Sequence, residues 1–161
     1  MWPRDLLEIL SCRRVRSGVR QLLREEVAVA TSASGTFEVK LIPLGTAEQS
    51  EGVTLGRMSA DKRYQGDLEA TGKGEMLSAT TSVKGSAGYV AIERVAGNLG
   101  GRSGSFVLQH TGIMTRGEPQ LTITVVPDSG SGQLASLAGQ MTIHIVDGKH
   151  FYDFEYTLGG R

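Results

Sequence analysis

The chain has one cysteine, no net charge and no long apolar run. These absences argue against a disulfide-bonded or zinc-binding protein, a nucleic-acid-binding protein and a membrane protein. Its single cysteine, Cys12, can form no intramolecular disulfide, and no histidine lies near it in the sequence to build a zinc site. The 17 basic residues balance 17 acidic ones, so no net charge attracts nucleic acid or an anionic membrane. No run approaches the roughly 20 apolar residues of a membrane span, and charges interrupt the N-terminal apolar runs where a secretory signal would lie. We therefore expect a cytoplasmic protein with neither nucleic-acid nor membrane partners.

Two regions of different character meet near residue 33. Residues 1–33 carry leucines at approximately helical spacing with charges between them, which predicts a helical or disordered N-terminal extension. An amphipathic arm that binds a partner is the alternative for this segment. Residues 34–161 hold most of the 22 glycines, which fall between alternating apolar segments as turns and bulges of an all-β fold do. We expect them to form a single domain.

Eight strand candidates follow one another after residue 33. Short glycine-containing connections such as Asp147-Gly148 join most of them, which favours an up-and-down meander. Eight such strands predict a closed antiparallel β-barrel, because closure removes the exposed edges. The candidates are residues 34–42, 54–64, 67–84 with a possible break at 72–74, 87–97, 104–114, 120–127, 137–146 and 150–158. The longest connection, 127–137, is expected to plug or cover one barrel end, with the plug favoured.

The hairpin from Gly85 to Gly112 defines two faces. If the chain reverses at Gly100, opposed residue numbers sum to about 200. This register predicts one face with Tyr89, Ala91, Glu93, Val107 and Gln109, and another with Val90, Ile92, Phe106, Leu108 and His110. A single bulge among the glycines would exchange the two faces. Because both faces are largely apolar, we expect a barrel that also packs against a second copy, giving a homo-oligomer.

Glu93 is the first candidate for catalysis. A mid-strand carboxylate that points inward must be paired or shifted in pKa, and such a group can move a proton or anchor a polar ligand. The alternative is a structural ion pair with Arg57, Arg94 or Arg102. His110 is the second catalytic candidate, for proton transfer, and its alternative role is that of a hydrogen-bonded core residue.

Three further residues are predicted to bind a ligand. Tyr89 and Gln109 share the Glu93 face in the predicted register, where they contact a ligand or form a self-satisfied core network. Arg57 lies on a strand that brings it within reach of an interior carboxylate. The three histidines lack the spacing of metal ligands, so we expect neither a metal site nor a cofactor.

Several strings in this part of the chain resemble a known family. GTFEVKL, VTLGRMSADK, GDLEATGKGEML, KGSAGYVAIERVAG, GRSGSFVLQHTG, LTITVVPDSGSGQLASLAGQMTI and DGKHFYDFEYTL together are similar to a bacterial family of uncharacterised small proteins with an allene-oxide-cyclase-like barrel. The resemblance covers about residues 34–158. It implies an eight-stranded antiparallel barrel, often oligomeric, without an assigned activity. Plant relatives of that fold include the cyclase and the dirigent proteins, but a shared fold does not carry function, and no catalytic residue is transferred from them.

Three functions compete at this point. The leading hypothesis is a barrel that binds a small apolar or mixed-polarity molecule. A cyclase or isomerase, which would add proton transfer by Glu93 or His110 in the same cavity, is the alternative. A structural oligomer with a filled barrel is the third.

Overall fold

The computed structural model describes residues 30–159. The predicted extension lies outside these residues except for its last positions, where the first strand already begins at Thr31. Within residues 30–159 there are nine strands and one single-turn 3-10 helix, Gly132–Leu134. The strands are β1 (Thr31–Pro43), β2 (Glu48–Ser50), β3 (Val53–Gly66), β4 (Leu68–Thr81), β5 (Ala87–Leu99), β6 (Arg102–Thr115), β7 (Glu118–Val125), β8 (Leu137–Val146) and β9 (Lys149–Leu158). No helix of this part of the chain is long and apolar enough to cross a membrane.

Eight of these strands form a closed antiparallel barrel, as predicted. From β3 to β9 each strand pairs with the next, and β1 closes the ring by pairing with both β9 and β3. The short β2 lies outside the ring and pairs only with the start of β3. Sequential pairing is the meander that short turns impose, and closure leaves the main wall without a free edge.

One end of the barrel is packed with side chains and is called here the plug end. Inward residues from most strands meet there, and the 3-10 helix inserts Leu134, which is 1% exposed. The 127–137 connection therefore contributes a plug to the core. Each large apolar side chain buried in this way contributes about 1.5–3 kcal/mol to folding. The large side chains that are almost wholly buried are Tyr64, Leu68, Leu99, Phe106, Leu108, Ile123, Leu134, Tyr152 and Phe154.

The register of the central hairpin differs from the prediction by one residue. Leu99 pairs with Arg102, so the numbers of opposed residues sum to 201. The reversal is centred between Gly100 and Gly101, whose φ angles of 56° and 82° suit a two-residue hairpin turn that only glycine enters easily. Because the side-chain period along a strand is two, this slip moves every β6 side chain to the opposite face from the one predicted.

Consequently, Phe106, Leu108 and His110 face the interior together with Tyr89 and Glu93, and the predicted grouping of Gln109 with Glu93 is wrong. Val90 and Ile92 lie on the outer wall. There they join two other apolar side chains in an outer patch. The patch consists of Leu55, Leu77, Val90 and Ile92, which are 48%, 58%, 52% and 53% exposed.

The seam between β7 and β8 is the shortest stretch of pairing in the wall. It consists of Ile123 with Met141 and Thr124 with Gln140, whereas β8 pairs with β9 from Leu137 to Val146. Both pairs lie toward the plug end. Toward the other end, here called the mouth, no further residues of these two strands are paired with each other.

Candidate functional site

The mouth half of the barrel encloses an open cavity of about 290 Å³, which is called here the cup. Its walls are almost entirely apolar, and its floor rests on the packed plug half. The wall side chains are Phe37, Val39, Leu41, Ala60, Met76, Tyr89, Ala91, Leu121, Ile143 and Ile145. Depressions of about 600–640 Å³ also occur on the outer surface, but mainly exposed side chains line them. The cup is lined by the two buried residues Glu93 and His110.

A floor cluster of four polar side chains lies at the bottom of the cup: Lys62, Tyr64, Glu93 and His110. Glu93 is its centre. Its Oε2 accepts from the Lys62 Nζ at 2.7 Å and pairs with the His110 Nε2 at 3.0 Å, and its Oε1 accepts from the Tyr64 hydroxyl at 2.9 Å. The charged side chains are almost excluded from solvent, since Lys62 is 9% exposed and Glu93 4% exposed. An ion pair this deeply buried needs such additional hydrogen bonds to offset its desolvation.

Electrostatics in the cluster favour ionised Glu93. Burial raises the pKa of the Glu93 carboxyl, but the hydrogen bond from His110 and the charge of Lys62 outweigh it and lower the pKa below its ordinary value. Burial raises the pKa of Tyr64 well above that of a free tyrosine, and the neighbouring Glu93 carboxylate raises it further. Burial and Glu93 also raise the pKa of Tyr89 in the wall. At neutral pH the floor therefore holds a carboxylate and the neutral phenol of Tyr64, and the wall holds the neutral phenol of Tyr89.

Two adjacent strands explain how this cluster fits inside a barrel. The inward positions of β3 are Met58, Ala60, Lys62 and Tyr64, so alternation alone carries the lysine inward. On β4 the facing position is Gly72, where a Cβ atom would overlap the Glu93 Oε1. Glycine there provides the space that the carboxylate occupies. The possible break of this strand at 72–74 is wrong, because Gly72 makes room for the Glu93 side chain and Gly74 for the neighbouring backbone of β5, and neither glycine forms a turn.

An aromatic ring of the cup stabilises the lysine cation as well. The Lys62 Nζ lies 5.0 Å from the centre of the Phe37 ring, within the range of a cation–π contact. The ring of His150 lies 5.0 Å from the same phenylalanine and also borders the cup. The ammonium group of Lys62 therefore contacts the Phe37 ring and also donates a hydrogen bond to Glu93.

His110 has one engaged and one free ring nitrogen. Nε2 pairs with the ionised Glu93, so this nitrogen carries a proton and donates it. No hydrogen bond within residues 30–159 reaches Nδ1, and no fully buried side-chain nitrogen or oxygen in that range lacks a partner. Nδ1 therefore borders the accessible space of the cup. A carboxylate that fixes one nitrogen of a histidine while the other faces a cavity is an arrangement suited to proton transfer.

The structure brings together only part of the predicted site. Glu93 and His110 are in direct contact, and Tyr89 lies above them in the wall. Gln109 is exposed on the outer wall, because the register differs by one residue. Arg57 is also on the outer wall, where it pairs with Glu75 at 2.6 Å with both side chains more than half exposed. The placement of these two residues at the site is therefore wrong.

The partner of Glu93 was missed by the sequence analysis. The alternative ion pair with Arg57, Arg94 or Arg102 is also wrong, since Lys62 occupies that role. The alternation of β3 offered a signal, because Lys62 and Tyr64 lie on the face opposite Arg57. The glycines at 72 and 74 were a second signal, since paired glycines inside a strand often mark close approach of another group. Within residues 30–159 no group of three or more His, Cys, Asp or Glu side chains is arranged as metal ligands.

Comparison with known proteins gives a family but no activity. Residues 33–156 match the family described as protein of unknown function, DUF3224. A crystal structure of a DUF3224 protein with unknown function from Shewanella oneidensis MR-1 is 54% identical in sequence, with a TM-score of 0.78. The match covers 82% of this chain and 100% of that one. Comparison with curated proteins gives no match. With the family matched over most of the chain and a relative this similar, the protein belongs to the DUF3224 family of β-barrels.

Proposed function

We propose that the protein binds a small, mainly apolar molecule in the cup, with a polar group of that molecule against the floor cluster. The observation that carries this proposal is a barrel filled at one end and open at the other, with a buried ionised group at the boundary. Binding pockets combine apolar walls with a few placed polar groups in the same way. The volume of about 290 Å³ lies at the lower end of typical ligand pockets, roughly 300–1,000 Å³.

The exposed apolar rim supports the same function. Leu41, Leu121 and Ile145 face the cup near its mouth and are 47%, 40% and 62% exposed. Clustered exposed apolar side chains around a concavity often mark a ligand-binding site. A ligand seated in the cup would cover part of this surface and gain hydrophobic stabilisation of about 25 cal/mol per Å² of apolar surface removed from water.

Native mass spectrometry of the purified protein tests the proposal. The expected result is a co-purifying small molecule that is lost in Ala91→Phe, because Ala91 lines the cup and a phenyl group there fills it. The matched control is Ala96→Phe, which adds the same ring to the exposed face of the same strand and should retain the mass. Retention in both variants would contradict binding in the cup, as would the absence of any bound mass together with no binding in a fragment screen.

Proton-transfer catalysis is a second candidate, favoured by the free Nδ1 of His110. An isomerase or cyclase would hold its substrate in the cup while His110 moves a proton and Glu93 keeps the ring in position. Deuterium incorporation from D₂O into the isolated ligand, followed by NMR, tests this function. The wild-type protein and a His144→Gln control should exchange the proton, and His110→Gln should not. Binding without exchange in the wild type would leave the binding function alone.

We also propose that a second copy covers the outer patch, as expected from the hairpin. The patch carries exposed leucine, valine and isoleucine, and the chain has no net charge to keep copies apart. Sedimentation of the wild type against Ile92→Asp tests it, and a monomeric wild type at micromolar concentration would contradict it.

Two further parts of the proposal are kinship with the allene oxide cyclase barrel and a cytoplasmic location. A structure-based comparison with that barrel tests the kinship, and cell fractionation tests the location.

A further inference from the structure

We propose that the ligand is a small monocarboxylic acid with an aryl or alkyl body, and that His110 takes up a proton when this acid binds. The inference rests on the proposed binding function and adds the chemical class of the ligand. It follows from which hydrogen-bonding groups of the floor are already occupied and which remain directed toward the cup.

The cup offers no carboxylate whose charge is unpaired. Glu93 is the only acidic residue among its lining side chains in the described part of the chain, and both of its oxygens already accept hydrogen bonds, one of them from the Lys62 cation. An ammonium ligand would therefore compete with Lys62 for the one carboxylate and would add a positive charge that nothing in the floor balances. Burial of an unpaired charge is strongly unfavourable, so the floor selects against amines.

The free groups around the floor are mainly donors. Lys62 uses its ammonium group on Glu93 and Tyr64, which leaves one of its three N–H groups. The Tyr89 hydroxyl makes no hydrogen bond within residues 30–159 and borders the cup. A carboxylate has two oxygens with lone pairs for such donors, and charge-assisted hydrogen bonds of this kind are the stronger ones.

The proton requirement follows from the tautomer of His110. When the ring is neutral, Nε2 carries the proton that Glu93 accepts, and Nδ1 presents a lone pair to the cup. A carboxylate oxygen beside that lone pair would place two acceptors together. A second proton on the ring converts Nδ1 into a donor. The acid and the imidazolium then add one negative and one positive charge to a floor in which Lys62 and Glu93 already balance.

No other ionisable group replaces His110 in this role. The other titratable side chains that border the same space are Glu93 and Tyr89 from β5, Lys62 from β3 and His150 from β9. Tyr64 from β3 is hydrogen-bonded to Lys62 and Glu93. The strands β4, β7 and β8 contribute only glycine, methionine, leucine and isoleucine there. His150 lies against Phe37 and makes no contact with Glu93, so the proton uptake is assigned to His110.

Isothermal titration with three probes that share one body tests the inference: 3-phenylpropanoate, 3-phenylpropan-1-ol and 3-phenylpropylamine. We expect the acid to bind at least tenfold more tightly than the alcohol, and the amine to bind most weakly. Titration in two buffers of different ionisation enthalpy should show uptake of about one proton per acid. The affinity for the acid should fall as the pH rises, because its binding takes up a proton, while the affinity for the alcohol should not change in this way.

Two variants identify the groups responsible. His110→Gln should abolish proton uptake and the preference for the acid, whereas His144→Gln, which changes an outer histidine with a 52% exposed side chain, should preserve both. If His110→Gln does not fold, Tyr89→Phe provides the second test, since it removes a donor beside the cup and should weaken the acid more than the alcohol. Equal binding of acid and alcohol, preference for the amine, or binding of the acid without proton uptake would overturn this inference but leave the binding function. Failure of all three probes to bind, with no co-purifying mass, would overturn the binding function as well.

Discussion

Replacement of Glu93 by glutamine is expected to destabilise the barrel by about 3–5 kcal/mol. Glutamine preserves the shape of the side chain but removes the negative charge at the centre of the floor cluster. Lys62, only 9% exposed, would then keep its charge without a partner, and loss of one partner of a buried ion pair typically has this magnitude. The amide nitrogen would also face donors from Lys62 or His110 at distances where the carboxylate now accepts.

Glu75→Gln is the matched control, because it breaks the other close carboxylate pair with a basic side chain in the wall. The Arg57–Glu75 pair is as short as the buried one, 2.6 Å against 2.7 Å, but its side chains are 55% and 58% exposed. Solvent screens exposed pairs, and their contribution is about 0–1 kcal/mol. Burial, and not distance, is therefore expected to separate the two variants.

Urea unfolding provides the measurement, because urea is uncharged and leaves ionic strength unchanged. With an m value of about 1–3 kcal/mol per M, the Glu93→Gln midpoint should fall by more than about 1 M, while that of Glu75→Gln stays close to the wild type. Lys62→Met added to Glu93→Gln should recover part of the loss, since it removes the unpaired charge. Equal effects of the two glutamine substitutions, or no recovery in the double variant, would refute the argument from burial.

Three further predictions concern the same cluster. The pKa of Glu93 is lowered in the folded protein, so its contribution to the free energy of unfolding is complete above the ordinary pKa of about 4.3 and is lost as the pH falls through the folded value. Urea unfolding between pH 3 and 7 should therefore show a steeper loss of stability in acid for the wild type than for Glu93→Gln. The pKa of Tyr64 is raised in the folded protein, so the free energy of unfolding falls as the pH rises above about 10. Tyr64→Phe should reduce this alkaline loss and should lower the stability at neutral pH by about 1–3 kcal/mol. An unchanged alkaline profile in Tyr64→Phe would show that another group causes the loss. Gly72→Ala should lower stability by about 1–3 kcal/mol through overlap with Glu93, and Gly159→Ala, where the nearest atom is 3.6 Å from the added Cβ, should have little effect on the melting temperature. If the melting temperature of Gly72→Ala equals that of the wild type, the expected overlap is contradicted, because the Glu93 side chain then moves away without loss of stability.

Most of the barrel could be predicted from the sequence because its signals are local. Alternation and turn residues located eight strands, and short turns dictated their sequential pairing. The short β2 was missed, since three residues carry too little pattern to indicate a strand. The strand over 67–84 was located, but its possible break at 72–74 is wrong, because glycine is ambiguous between a turn and a site of close approach until its neighbour is known.

The site was harder to predict because it depends on register and on pairing between distant strands. Glu93 and His110 were both identified as single residues, but a register wrong by one placed them on opposite faces. Lys62 lies 31 positions before Glu93, and nothing local in either strand indicates that they meet. Arg57 was preferred as a partner for a carboxylate by residue type, yet alternation along β3 directs it outward.

Because β7 and β8 share only two paired positions, the wall of the cup deforms more easily between these strands than elsewhere. Elsewhere, widening the mouth would break ladder hydrogen bonds, each of which contributes about 0.5–1.5 kcal/mol net to stability. At Leu121 and Ile143 the strands β7 and β8 are no longer paired, since their pairing toward the mouth ends at Ile123 and Met141. The circumference of the barrel can therefore change on that side with little loss of pairing. The volume of about 290 Å³ therefore does not set an upper limit on the size of molecule that the cup admits.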